Sequence, residues 1–249
     1  MTVTDLIREV KIARQDAEVL LASVLGVERA WIYAHGDALV PPDLAQRFRQ
    51  GGEALRAGEP LAYVLGYRDF WTLRLRVNND VLIPRRETEH LVEWASERIA
   101  AGAQRVLDLG TGSGAVALAC KSDHPEAEVC AVDLSPDALA CARANGQSLG
   151  LSVDWREGDW FCAVKGERWQ LILSNPPYIA ADDPHLDAGD LPAEPTSAIS
   201  TVAKRRRYCD AARCRQTRPR RGWNLAHSDR TTAKARTNRP LRPHRIVPR

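Results

Sequence analysis

Arg105-Val106-Leu107-Asp108-Leu109-Gly110-Thr111-Gly112-Ser113-Gly114 decides the fold of this chain. The first five residues read as a buried strand, the next five as a glycine turn, and Ala115 to Lys121 then opens a helix. A second strand, Glu128 to Val132, ends in Asp133, and another helix runs from about Pro136 to Leu149. Strand, glycine loop, helix, strand and acid form a βαβ unit, which takes a nucleoside-containing ligand at its carboxyl edge. The details narrow that ligand. A dinucleotide fingerprint needs Gly-x-Gly-x-x-Gly with pyrophosphate at the helix amino terminus, whereas these glycines are spaced Gly-x-Gly-x-Gly and follow Asp108. No Lys-Ser/Thr follows the loop, which excludes a P-loop. Asp133 stands 19 residues after Gly114, where a carboxylate can take both ribose hydroxyls. Asp108 is placed to support either the loop or the ligand's amino group.

Downstream, a third strand at Ser152 to Arg156 leads into Gly158-Asp159-Trp160, a place for adenine contacts or a turn with a packing tryptophan. A fourth, Trp169 to Leu173, runs into Ser174-Asn175-Pro176-Pro177-Tyr178-Ile179. Consecutive prolines stiffen this turn, restrict Asn175 to extended backbone and remove N–H donors. An Asn side chain, a free carbonyl and a tyrosine ring in one stiff loop can hold a planar –NH2 group. An ordinary proline turn is the plain alternative. In a doubly wound sheet the ends of the first, second and fourth strands face one crevice, so nucleoside site and amide pocket are neighbours. That is a group-transfer geometry.

Upstream, residues 4 to 26 show helical periodicity with Gly26 as the stop, and Ala30 to Ala34 and Leu44 to Leu55 read as two further amphipathic helices. His35 reads as a surface or capping residue. From Phe70 the pattern alternates through Leu73, Leu75 and Val77 to Val81-Leu82-Ile83, which predicts a β-hairpin turning at Asn78-Asn79-Asp80. Glu87 and Glu89 then stand near the start of a helix over about 88–101, where they favour its dipole.

The formal charge of +3 hides an asymmetry. Residues 1–198 hold 19 Lys and Arg against 30 Asp and Glu, and residues 199–249 hold 16 against 2. No apolar h-region or membrane-length apolar run is present. The six cysteines include no Cys-x-x-Cys pair, and Cys120, Cys130, Cys141 and Cys162 sit among apolar residues, where buried free thiols are expected. The composition fits a cytoplasmic, reducing compartment.

Three stretches carry a specific resemblance. Asn175-Pro176-Pro177-Tyr178 resembles the loop of class I S-adenosylmethionine methyltransferases that modify planar nitrogens, adenine-N6 enzymes included. Gly58-Glu59-Pro60-Leu61-Ala62-Tyr63-Val64-Leu65-Gly66 followed by Asp69-Phe70, and Val81-Leu82-Ile83-Pro84-Arg85-Arg86-Glu87-Thr88-Glu89, resemble the peptide chain release factor N5-glutamine methyltransferase family, which has proline where Arg86 stands. Asp16-Ala17-Glu18-Val19-Leu20-Leu21 fits its helical amino-terminal domain.

This resemblance implies an α/β fold: a class I methyltransferase Rossmann-like sheet lacking its C-terminal strands, preceded by a small helical domain and a β-hairpin. The expected divisions are a release-factor-recognition domain at 1–58, linker and hairpin at 59–84, a methyltransferase domain at 85–198 and a basic tail at 199–249. Gly110, Thr111, Gly112, Ser113, Gly114, Asp133, Trp160 and Asn175 would hold S-adenosylmethionine. Asn175, Pro176, Pro177 and Tyr178 would hold the glutamine of a bacterial class 1 release factor's Gly-Gly-Gln motif, with Asn175, Pro176 and Tyr178 catalytic. No metal, no membrane and no direct nucleic-acid binding by residues 1–198 is implied. A ribosomal-protein glutamine, an adenine-N6 position in nucleic acid and an inactive remnant are the alternatives. The net acidity of residues 1–198 argues against nucleic acid. Beyond Ala198 the resemblance stops, and the arginine-rich sequence has neither helical nor strand periodicity. It reads as a basic arm or, preferred here, as a tail translated out of frame, which predicts an exposed sheet edge.

Overall fold

The computed structural model describes residues 1–176, 191–199 and 225–226. Pro177 and Tyr178 lie outside them, as does most of the tail. Five helices come first: α1 (Val3–Glu9), α2 (Arg14–Leu25), α3 (Arg29–Ala34), α4 (Pro42–Arg56) and α5 (Leu61–Leu65). Leu6, Leu21 and Phe48 are fully buried among them, each contributing about 1.5–3 kcal/mol by leaving water. The single helix expected over 4–26 is two. A capping box on Thr2 starts α1, and the chain breaks where Lys11 takes φ +50° before α2 begins. Gly26 does end α2, in the left-handed conformation. His35 is exposed at the end of α3, stacked on Trp31 at 4.3 Å.

The hairpin forms with a different turn. β1 (Tyr67–Phe70) pairs antiparallel with β2 (Leu73–Arg76), Phe70 facing Leu73. The bend is therefore Trp71-Thr72, with Trp71 at φ +55°. Tertiary bonds hold it there: the Trp71 N–H donates to Glu89 Oε1 (3.1 Å) and its indole N–H to Asp123 Oδ2 (2.9 Å). Asn78-Asn79-Asp80 makes a separate turn, closed by the Val81 N–H on the Asn78 carbonyl (3.2 Å) and by Asn78 Nδ2 on Asp80 Oδ2 (2.7 Å). Val81–Ile83 leaves it as an irregular segment, not a strand.

After a 3-10 turn at Arg86–Thr88, α6 (Glu89–Ala100) leads into the main sheet. Its strands are β3 (Arg105–Leu109), β4 (Glu128–Asp133), β5 (Asp154–Glu157), β6 (Leu171–Ser174) and β7 (Leu225–Ala226), with α7 (Ala115–Asp123) and α8 (Pro136–Leu149) as crossovers. The order is β5-β4-β3-β6-β7, all neighbours parallel. The third strand starts at Asp154 rather than Ser152. Within residues 199–249, which show no strand periodicity, the two residues Leu225–Ala226 add backbone pairing to the edge of β6, Ile172 opposite Leu225. A short segment, α9 (Thr196–Ile199), follows β6 in the chain, and its Ala198 lines the cleft at the strand ends. One sheet face packs Phe70, Leu75, Ile99, Leu118 and Leu173 together, and the other gathers Leu107, Leu109, Val132 and Trp169. Buried parallel strands need both faces covered, and these apolar runs supply that.

Of the four cysteines expected to be buried, Cys120 and Cys130 are, Cys141 is partly covered, and Cys162 is exposed. Cys162 sits on the 3-10 segment Trp160–Val164, which leaves the sheet after β5. No helix among the described residues is long and apolar enough to cross a membrane.

Candidate active site

β3 continues to β4 on one side and neighbours β6 on the other, so the carboxyl ends of these strands diverge into a crevice. A cleft of about 300 Å³ fills it. Gly110, Gly112, Asp133, Trp160, Asn175 and Pro176 all line it, so six of the expected residues meet at one place.

The glycine loop is shaped by backbone requirements. Gly110, Gly112 and Gly114 have φ of +74°, +56° and +83°, a region that costs residues with a Cβ about 1–2 kcal/mol. The Gly110 and Thr111 N–H groups both donate to the Val132 carbonyl (2.8 and 3.1 Å), folding the loop against β4. A Cβ built on Gly110 or Gly112 would meet nothing within 4 Å, so the space above the loop is open. Gly114 faces inward, where a Cβ would lie 2.9 Å from Trp155 and 3.2 Å from the Ala142 Cβ. Thr111 and Ser113 are buried behind the loop.

Both strand-end carboxylates serve this loop. Asp108 is buried and accepts from the Thr111 hydroxyl at 2.6 Å. Burial pushes its pKa up to about 6, against the opposing Thr111 bond and with the nearby Asp133 adding to the rise. The structure thus gives Asp108 the loop-supporting role. Asp133 accepts from the Gly112 N–H through Oδ2 (2.8 Å) and from the Ser135 N–H through Oδ1 (3.0 Å). Each carboxylate oxygen has a second lone pair, and the group lines the cleft. That suits a vicinal diol. Leu134, 40% exposed, and Trp160, at φ +51°, add apolar surface to the wall. The open loop, the carboxylate and these side chains fit a nucleoside. Among the described residues no group of three or more His, Cys, Asp or Glu side chains is arranged to hold a metal ion.

The other wall starts at the end of β6. Asn175 Nδ2 donates to the buried Thr88 hydroxyl oxygen at 3.1 Å, and Pro176 lines the cleft beside Asn175. Asp80, Val81 and Leu82 close the cleft from the segment after the hairpin. The Tyr63 hydroxyl holds that segment by donating to the Val81 carbonyl at 2.7 Å, linking α5 to the site's rim.

Residues without obvious chemistry in the sequence turn out to build the site. Asn145, fully buried on α8, accepts from the Arg76 N–H (2.7 Å) and donates to the Arg76 (3.0 Å) and Ser113 (2.9 Å) carbonyls. It joins the hairpin to the glycine loop. An Asn inside an otherwise apolar helix stripe was the available signal. Leu134 could have been found as the apolar residue directly after the strand-end acid, and Thr88 only through its place in the Pro-Arg-Arg-Glu-Thr-Glu stretch. Arg86 opens the 3-10 turn with an exposed side chain. The first position of a helical turn suits proline but does not require it.

Residues 87–190 match the methyltransferase small domain family, and residues 3–66 match the PrmC N-terminal domain. The chain is 50% identical over 191 residues to the release factor glutamine methyltransferase of Xylella fastidiosa strain 9a5c, covering 76% of this chain and 70% of that protein. The proteins of the same name from Bordetella pertussis and Escherichia coli K12 are 46% identical over 201 residues and 44% over 187. Those matches cover 79% and 75% of this chain and 73% and 68% of the respective proteins. The parallel sheet and its glycine loop are accordingly the class I S-adenosylmethionine methyltransferase fold, and the chain belongs to the release factor glutamine methyltransferase family.

Proposed function

We propose that this chain methylates the side-chain amide nitrogen, N5, of the glutamine in the Gly-Gly-Gln motif of bacterial class 1 release factors, with S-adenosylmethionine as donor. The observation that carries this reading is the pairing in one cleft of a nucleoside-suited wall, Gly110, Gly112, Asp133 and Trp160, with the amide-suited wall of Asn175 and Pro176. When bound, S-adenosylmethionine supplies an electrophilic methyl group on a sulfonium sulfur.

Asp133 would accept the ribose hydroxyls while its bond to Gly112 keeps the loop closed beneath them. Gly110 and Gly112 leave room for backbone approach, and Thr111, Ser113 and Gly114 contribute through the loop's backbone and its anchoring. Trp160 would border the adenine.

A carboxamide nitrogen is a weak nucleophile because its lone pair is delocalised into the carbonyl. Asn175 Oδ1 and the Pro176 carbonyl would accept its two N–H bonds. That fixes the lone pair's direction and favours positive charge developing on nitrogen. Positioning and preorganised dipoles of this kind supply most of the barrier lowering in such sites. Tyr178, with Pro177, would pack against the amide plane. The proton can leave after the new N–C bond has formed, so a strong base is not required. The helical amino-terminal region, residues 1–58, would contribute release-factor recognition.

Tandem mass spectrometry of a release factor incubated with this chain and S-adenosylmethionine tests the assignment. One added methyl on the Gly-Gly-Gln glutamine side chain is expected. A methyl found on another residue, or only on nucleic acid, would overturn it.

A further inference from the structure

The 3-10 turn before α6 does more than start a helix. Thr88, at its end, is buried and accepts from Asn175 Nδ2 at 3.1 Å. Arg85, just before it, forms an ion pair with Glu194, whose side chain is fully buried. Asn175 opens the Asn-Pro-Pro-Tyr stretch, and Glu194 follows it 19 positions later. One four-residue span therefore contacts both Asn175 and Glu194. Neither Arg85 nor Thr88 lines the cleft, so neither is placed to touch a ligand there.

Asn carries its acceptor and its donors on two arms of one plane. Anchoring Nδ2 on Thr88 fixes where Oδ1 points. The reaction depends on that direction, because an amide rotated by half a turn would offer donors to the glutamine N–H groups instead of an acceptor. The Arg85–Glu194 pair acts on the span itself, because a buried carboxylate paired with a guanidinium has narrow geometric freedom. Ala198, four residues beyond Glu194, reaches the cleft wall itself.

We propose that Thr88 is a positioning residue for methyl transfer: it orients the Asn175 amide, and the Arg85–Glu194 ion pair holds in place the short span that carries Thr88. This rests on the glutamine-methylation reading above. It gives the Pro-Arg-Arg-Glu-Thr-Glu stretch a task in the reaction without contact with the substrate.

The test uses the full chain with Thr88→Val, which keeps the shape and removes the hydroxyl, and Thr88→Ser, which restores it. Two quantities are read: kcat and KM for each substrate, and the Kd of a Gly-Gly-Gln peptide in the presence of S-adenosylhomocysteine. Thr88→Val is expected to lower kcat by about tenfold to a hundredfold, the cost of misplacing a positioning group. It should weaken peptide binding while leaving KM for S-adenosylmethionine within about twofold, and Thr88→Ser should recover most of the loss. A merely structural role would move both substrates' constants together and lower thermal stability without a selective kcat effect. Should Thr88→Val fail to fold, Glu194→Gln and Arg85→Lys carry the same test, with the same selective loss expected. Wild-type protein that methylates or binds the peptide, with variants that match it, overturns the positioning role alone. Wild-type protein that does neither overturns the functional reading and this role with it.

Discussion

Gly114→Ala tests the packing beneath the glycine loop. The new Cβ would lie 2.9 Å from Trp155 Cη2, 3.1 Å from Leu118 Cδ1 and 3.2 Å from Ala142 Cβ, on a residue at φ +83°. Left-handed backbone costs a non-glycine residue about 1–2 kcal/mol, and forcing a methyl into a packed core costs about 1–3 kcal/mol. Together the loss is about 2–5 kcal/mol, a large share of the ~5–15 kcal/mol that holds a domain folded. Gly150→Ala is the matched control: φ is +67° and a Cβ would meet nothing within 4 Å, so only the backbone cost of about 1–2 kcal/mol applies. Urea unfolding of both variants, compared at equal m-value, isolates the contribution of the clash. A midpoint for Gly114→Ala clearly below that of Gly150→Ala is expected. Equal midpoints would refute the reasoning, because Trp155, Leu118 and Ala142 would then yield freely.

Asn145→Ala should destabilise the protein by about 2–4 kcal/mol, since the Arg76 N–H and the Ser113 carbonyl lose their buried partner. It should also weaken S-adenosylmethionine binding; calorimetric titration showing unchanged affinity would separate the hairpin from the loop. The amino-terminal helices should carry an acid-sensitive element at Glu18, whose burial opposes its charge but is outweighed by hydrogen bonds from Tyr33, Arg14 and Arg29, bringing its pKa to about 2. A folded-state pKa below the ordinary 4.5 means the stabilisation is complete above pH 4.5 and is lost as pH falls toward 2. Tyr33→Phe should raise that lower limit and reduce stability at neutral pH; denaturation midpoints that fall in parallel for both proteins from pH 5 to 2 would contradict this.

The sequence was most readable where local chemistry and tertiary structure agree. Gly110 to Gly114 between an apolar strand and a helix, with Asp133 ending the next strand, leave few alternatives, and the crevice formed where they indicated. Readability failed where distant contacts decide. Trp71 turns the hairpin because Glu89 and Asp123 reach it from other elements, while Asn78-Asn79-Asp80, the better turn by composition, bends a different segment. Lys11 breaks a helix that periodicity alone would continue. An open edge at β6 was expected, but no local pattern in the basic tail marks Leu225–Ala226 as the residues that pair with it. At the site, the strand-end residues were legible because their type and position are tied to chemistry. Asn145 and Thr88 were not, because their importance lies in partners 32 and 87 residues away along the chain.

We propose a division of labour across one cleft: Asp133 serves the donor nucleoside, and Asn175, which the resemblance assigns to donor and glutamine alike, serves the glutamine amide. The most direct measurement is a side-by-side comparison of Asp133→Ala and Asn175→Ala, reading S-adenosylmethionine affinity by titration and labelled-methyl transfer to a release factor. A release factor with Gln→Ala in its Gly-Gly-Gln motif serves as control. Asp133→Ala should lose donor affinity by about tenfold or more, the worth of about 1.4 kcal/mol, with transfer partly recovered at high donor concentration. Asn175→Ala should lose transfer that excess donor does not restore. If both variants lose donor affinity equally, or if label reaches the Gln→Ala control, the division does not hold.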